Sequence, residues 1–298
     1  HAYLIKRKKG WLEMGERKLI PIVSAADNNY APYLSVTLKT ILDHLSNDYD
    51  VAFHIIDDHI SADSKKKLAK VISNHTATID YLEVDSELYA DVMESDHITQ
   101  TAYYRISLPD LLKDKNYEKV VYIDSDVLVL EDISKLYETD IGDKVVGAVI
   151  DPGQAVVHPR LGIETNDYYF NSGLLLIDLD NWRKAQITEK TLSFLEEQMD
   201  KIIYHDQDAL NGTLYEKWYG LHPKWNVQTS LVFERHQPPN EEYAKSYKEA
   251  IRQPSIIHFT GHDKPWNSDE YHPYAEKYLA ELSKTPFSDE VSKKDAVN

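Results

Sequence analysis

The run Val120-Val121-Tyr122-Ile123-Asp124-Ser125-Asp126-Val127-Leu128-Val129-Leu130 constrains the fold more than any other stretch of the chain. Four apolar residues in succession read as a strand buried on both faces, the pattern of a central strand in a helix-covered parallel sheet. On an extended backbone, side chains two apart share a face, so Asp124 and Asp126 are expected to aim both carboxylates at one point while Ser125 points away. Like charges that close repel unless a cation sits between them, and the carboxyl end of a strand is where open α/β sheets bind ligands. The pair therefore suits a hard divalent cation, Mn2+ or Mg2+. An acidic turn after a strand is the plain alternative for the same residues.

The rest of the chain alternates in the same way. Leu19 to Ser24, Val51 to Ile56 and Thr78 to Val84 read as strands, with helices starting near Pro32 and spanning Lys65 to Ile72 between them. A helix over Thr101 to Leu112 leads into the Val120 strand. Further strands are expected at Val145 to Ile150, Leu174 to Ile177 and Ile256 to Phe259, and helices at Thr188 to Met199, Asp206 to Leu214 and Tyr271 to Leu282. No repeat or Gly/Ser linker divides the chain. It reads as one α/β domain over residues 19–283, with a basic arm or added remnant over 1–18 and a polar, frayed tail over 284–298.

Charge then limits the partners. With 33 Lys+Arg against 50 Asp+Glu, the net charge is −17, and a duplex-binding protein needs the opposite balance, so nucleic acid is not an expected partner. Any anionic ligand must be handled locally, by a metal or a few placed cations. The absence of Cys excludes disulfides, thiolate metal sites and Cys nucleophiles, and fits a reducing compartment. No apolar run approaches the roughly 18 residues of a membrane span. The cations of the arm, Lys6 to Lys9 with Arg17 and Lys18, offer at most a peripheral contact with an anionic membrane.

Three more constellations carry chemistry. In His258-Phe259-Thr260-Gly261-His262-Asp263-Lys264-Pro265-Trp266, an imidazole suits a Mn2+-class metal, Gly261 lets backbone approach a ligand, and Lys264 offers a point charge for phosphate. His258 and His262 are equally readable as a strand-end and a surface histidine. Tyr204-His205-Asp206-Gln207-Asp208 opens a helix, where Asp206 and Asp208 complement the helix dipole without further function. Phe170-Asn171-Ser172-Gly173 is a polar strand start whose glycine removes bulk where something approaches.

These segments, with Ala25-Ala26-Asp27-Asn28-Asn29-Tyr30, stand in an order and at separations that resemble the family 8 retaining glycosyltransferases. That family includes bacterial lipopolysaccharide galactosyl- and glucosyltransferases and glycogenin. The likeness covers about Leu19 to Leu282. It implies a GT-A fold, a mostly parallel central sheet flanked by helices, that moves a hexose, with glucose the first expectation, from a UDP-sugar onto a glycan hydroxyl with retention.

By the same resemblance Asp124, Asp126 and His258 match the manganese ligands. Ala25, Asp27 and Asn29 match uridine contacts, with Tyr30 stacking on uracil; Asn28 stands where some relatives carry Asp. Ser125 falls among the donor-binding residues. Arg105, Lys264 and the Gly261 backbone match groups near the donor and its diphosphate, while Asn171, Asp206 and Gln207 surround the donor sugar, Gln207 closest to the anomeric carbon. Acceptor recognition is assigned to the Asp151 to Tyr169 loop, with Asp151, Tyr168 and Tyr169 as candidates, since phenols stack on sugar rings.

The expected acceptors are lipopolysaccharide, polysaccharide or glycoprotein glycans, and the expected location is the cytoplasm, at the inner face of the membrane. A homo-oligomer is compatible with the Tyr-rich composition, 21 residues in all. Two other functions remain open on the residues alone: a metal-dependent phosphatase with Asp124 as nucleophile, and a module that binds a sugar nucleotide without turnover.

Overall fold

The computed structural model describes residues 17–82, 104–268 and 271–289. Its main sheet has seven strands in the order β3-β2-β1-β4-β7-β6-β8. In chain order these are β1 (Lys18–Asp27), β2 (Tyr49–Asp58), β3 (Ala77–Leu82), β4 (Lys119–Ile123), β6 (Val146–Ile150), β7 (Phe170–Asp178) and β8 (Trp218–Gly220). A second sheet of three short strands joins β5 (Val127–Val129), β10 (Ile256–His258) and β9 (Val227–Gln228), in that order. Strands β1 to β4 pair in parallel, but β7 runs antiparallel to both β4 and β6. The sheet is thus mostly parallel, as expected, with one reversal.

That reversal positions the site. Ile123 at the end of β4 pairs with Leu174 near the start of β7, so the carboxyl end of β4 and the Asn171-Ser172-Gly173 segment share one edge. Asp27 ends β1, which is the parallel neighbour of β4 on its other side. Burial explains why β4 and β7 take the centre: Val120 to Ile123 and Phe170 to Ile177 are buried throughout. The helix Ala31–His44, whose Leu34, Leu38 and Ile41 are fully buried, packs against β1 and β5.

Three expectations change. The backbone through Asp124 and Asp126 is not extended: the chain bends at Ser125 and Asp126 and crosses from β4 in the large sheet to β5 in the small one. The start of the tail is packed: among the described residues Thr285 is buried and Phe287 is fully buried beneath the Lys67 ammonium, 5.3 Å from its ring. The helix Glu241–Arg252 was not expected, since only Tyr247 and Ala250 on it are buried and apolar periodicity is correspondingly thin. Residues 1–16, 83–103 and 290–298 lie outside the described residues. So do the start of the Thr101 helix and the end of the third strand, while Leu108–Leu111 is helical. Among the described residues no helix is long and apolar enough to cross a membrane.

Candidate active site

Three ligand-type side chains meet where the two sheets join. One donor atom each from Asp124, Asp126 and His258 lies within 4.8 Å of the others. His258 Nε2 is 3.6 Å from Asp124 Oδ2 and 3.2 Å from Asp126 Oδ1. The bend at Ser125 does what an extended pair would have done, because it turns both carboxylates toward the end of β10. Two cations flank the group. Arg105 donates to Asp124 Oδ1 at 2.7 Å and to Asp206 Oδ2 at 2.7 Å, and Lys264 Nζ lies 2.6 Å from Asp126 Oδ2. Burial pushes the Asp126 carboxyl up, but the positive charge of Lys264, and of His258 when its ring is protonated, outweighs it and holds the group well below the usual carboxylate range.

The residues fit a divalent cation on three grounds. The donor set is two carboxylates and an imidazole, right for Mn2+ or Mg2+ and wrong for a thiophilic metal. Asp126 Oδ1 is buried without a hydrogen bond, which is a costly state unless something positive sits beside it. And the space is kept by a missing side chain: a Cβ on Gly173 would fall 2.3 Å from His258 Cε1 and 2.6 Å from Asp124 Oδ2.

The triad forms one wall of a cavity of about 520 Å3, whose other walls include Asp206, Gln207, Asn171 and Asp151. Gln207 is held at both ends of its amide. Its Oε1 accepts from Asn171 Nδ2 at 3.1 Å and from the Ser172 backbone N–H at 3.0 Å, and its Nε2 donates to Asp151 Oδ2 at 3.2 Å. Burial raises the Asp151 carboxyl against the hydrogen bonds it accepts. The helix His205–Leu214 that carries Asp206 and Gln207 is fixed by Asn211. Its amide exchanges two hydrogen bonds with the Phe170 backbone at the start of β7, at 2.8 and 2.9 Å.

The other expected residues distribute unevenly. Gly261 and Lys264 line the cavity, whereas Ser125 does not; the Ser125 carbonyl accepts from Thr37 Oγ1 at 3.2 Å. Ala25 and Asp27 end β1, and Asn29 and Tyr30 sit on the turn after it, all outside this cavity. Asp27 Oδ1 caps the Tyr30 N–H at 2.8 Å, and Tyr30 stands edge-on to Trp266, at 6.1 Å, beside Lys264. Asn28 is spent on structure, accepting from Ser61 N and Ser64 Oγ. Of the acceptor candidates, Asp151 faces the cavity and Tyr168 packs edge-on against Tyr243. Tyr169 is corrected: it is 0% exposed, with its hydroxyl donating to Asp208 at 2.6 Å, so it has no face to offer a sugar.

Asp208 is likewise more than a helix-terminal charge. Fully buried, it accepts from Arg160 at 2.8 and 3.0 Å and from the backbone N–H groups of Ile203 and Tyr204, tying the Asp151 to Tyr169 loop to the helix. Arg160→Met is expected to destabilise the fold by about 3 kcal/mol in a urea melt, because it strands a buried charge. Burial raises the Asp208 carboxyl, but its partners bring it below the ordinary value. Its stabilisation is therefore present above the unfolded pKa of about 3.9 and is lost as pH falls through the folded value, so the gap between variant and wild type should close in acid.

Residues 21–270 match the model of Glycosyl transferase family 8. The chain belongs to glycosyltransferase family 8. It is 42% identical to general stress protein A of Bacillus subtilis (strain 168), covering 92% of this chain and 97% of that one. To the lipopolysaccharide 1,2-glucosyltransferase of Escherichia coli (strain K12) it is 26% identical, covering 99% and 88%. The crystal structure of the galactosyltransferase LgtC with donor and acceptor sugar analogs superposes with a TM-score of 0.76 at 30% identity, covering 90% of this chain and 96% of LgtC. An active-site Gln-to-Glu mutant of LgtC gives 0.77.

Within this family 8 site, three participants escaped the reading of the sequence. Tyr122 donates to Asp124 Oδ1 at 2.9 Å and lies under the Arg105 guanidinium, 4.5 Å from its centre. The two-residue period of the strand carried that signal. Ser172, which accepts from Arg105 at 2.8 Å, was visible only as part of a polar strand start. Asn226, 1% exposed, has no local signal at all: it sits in His222-Pro223-Lys224-Trp225-Asn226, far in sequence from the residues it touches.

Proposed function

We propose that this family 8 glycosyltransferase moves a hexose, glucose by first choice, from a UDP-sugar to a glycan hydroxyl, dependent on Mn2+ and with retention. The observation that carries the reading is the meeting of Asp124, Asp126 and His258 on the wall of the cavity that also holds Asp206 and Gln207. Its relatives include a glucosyltransferase and a galactosyltransferase, which supports the hexose. A divalent cation bound by the triad would neutralise charge on the departing diphosphate.

The chain's own residues do the rest. Lys264 and Arg105 bring positive charge to a strongly acidic protein at the point where an anion must sit. Asp206 places negative charge where positive charge develops at the anomeric carbon. The Gln207 carbonyl oxygen is occupied by two donors and belongs to an amide, so it is a poor nucleophile. Transfer on one face follows: the acceptor oxygen bonds to C1 as the bond from C1 to the phosphate oxygen breaks, and the hydroxyl proton passes to that leaving oxygen. Acceptor contact is assigned to Asp151 and Tyr168.

UDP release measured over a panel of UDP-sugars, with Mn2+ and with chelator, tests the reading. Release from one UDP-hexose that chelator abolishes is expected. Phosphoester hydrolysis without any sugar nucleotide would instead indicate the phosphatase, and UDP binding without release a binding module. Gln207→Ala should slow transfer by about 10²-fold and leave residual activity. A sugar trapped covalently on the wild-type side chain would overturn the direct route.

A further inference from the structure

A row of amides, buried at Asn226 and Asn171 and half-buried at Gln207, connects the two halves of this site. His258 Nδ1 lies 2.9 Å from Asn226 Oδ1; Asn226 Nδ2 is 2.9 Å from Asn171 Oδ1; Asn171 Nδ2 is 3.1 Å from Gln207 Oε1. Each amide can be turned end for end on its own, so the polarity of the row needs an anchor of known sense. The backbone supplies two. The Ser172 N–H, which can only donate, reaches Gln207 at 3.0 Å, so the Gln207 atom there is oxygen and its partner on Asn171 is the NH2 group. The Gly173 N–H donates to the other atom of Asn171 at 3.0 Å, which fixes that one as oxygen independently. Asn226 must then donate to Asn171 and present its own oxygen to His258. That oxygen can only accept, so the His258 Nδ1 that lies 2.9 Å from it carries the hydrogen.

We infer that Asn226 is a positioning residue that holds His258 in the Nδ1–H tautomer, leaving the Nε2 lone pair facing Asp124 and Asp126, and links this metal-ligand orientation to Gln207 through Asn171. The inference rests on the metal reading given above. Two lone-pair atoms, His258 Nε2 and Asp126 Oδ1, then face each other across 3.2 Å, an arrangement that favours a cation between them. Asn226 touches no reacting atom; it acts through its neighbours.

Two substitutions separate its two hydrogen bonds. Asn226→Ala removes both, and Mn2+ affinity, followed by the loss of the free-ion EPR signal, should fall about 10- to 100-fold. Asn226→Asp keeps an acceptor for His258 but puts an oxygen where Asn171 needs a donor. It should bind Mn2+ as tightly as wild type while kcat falls about tenfold, a split that a general loss of packing would not produce. Thermal melts confirm that each variant is folded.

The ring nitrogens of His258 in the metal-free wild type, read by 15N NMR at pH 8.5 and assigned against His258→Gln, provide a check that needs no variant of Asn226. A proton on Nδ1 is expected. An Nε2–H tautomer, or unchanged Mn2+ binding in Asn226→Ala, overturns the inference while leaving the metal site standing. A wild type that binds no Mn2+ removes the metal reading itself.

Discussion

Asp126→Asn is expected to lower sugar transfer by at least about 10³-fold, roughly 4 kcal/mol of transition-state stabilisation, because both oxygens of this carboxylate are committed. Oδ1 faces His258 Nε2, and Oδ2 receives the Lys264 ammonium at 2.6 Å. An amide has one acceptor and one donor end. Turned one way it sets an NH2 against the ammonium; turned the other way it sets it into the cation site. Neither orientation serves both neighbours, and the charge that would hold a divalent ion is halved. Lys264, 8% exposed, would also lose its carboxylate partner, so the variant should melt at a lower temperature even with chelator present. Assays are therefore run well below that melt. Transfer within a few-fold of wild type, with chelator still abolishing it, would exclude Asp126 from the site.

The variant also shows where the sequence was legible. Asp124 and Asp126 stand out because two acids interrupt a run of apolar residues, and the reason they do so is local. Their convergence was expected from the pleat of a strand, whereas the chain reaches it through a bend between two sheets. Periodicity finds residues whose role is set by the nearest neighbours in sequence; Tyr122, two before Asp124, belongs to that class. Asn226 and Tyr169 do not. What they do depends on contacts 32 residues away to His258 and 39 residues away to Asp208, which no spacing rule reports. The helix Glu241–Arg252 was missed for a different reason, that its exposed face is wide and its buried one narrow.

Gly173→Ala is the smallest change with a comparable effect, expected to abolish detectable Mn2+ binding and lower transfer by 10³-fold or more, about 4 kcal/mol. Neither a left-handed φ nor a turn calls for the glycine, which sits in β7 opposite the register shift between Ala148 and Val149 of β6. It is required by what stands opposite. One methyl group would lie 2.3 Å from the His258 ring, 2.6 Å from Asp124 Oδ2 and 3.0 Å from Asn171 Oδ1, so three members of the site must move to admit it. None has room to give. His258 is tied to Asn226, Asp124 to Arg105 and Tyr122, and Asn171 to Gln207. On the β4 side the Gly173 carbonyl accepts from the Asp124 N–H at 2.9 Å, so the backbone cannot retreat without pulling on a ligand residue, although the β6 pairing skips 172–174 at a bulge. The strain must appear as displaced ligands, as lost stability, or as both. Circular dichroism should show a folded sheet, with a melt lowered by about 1–3 kcal/mol for overpacking, and EPR should show the Mn2+ free in solution. A Gly173→Ala protein that still bound Mn2+ with wild-type affinity would mean that the ion sits elsewhere than between these three side chains.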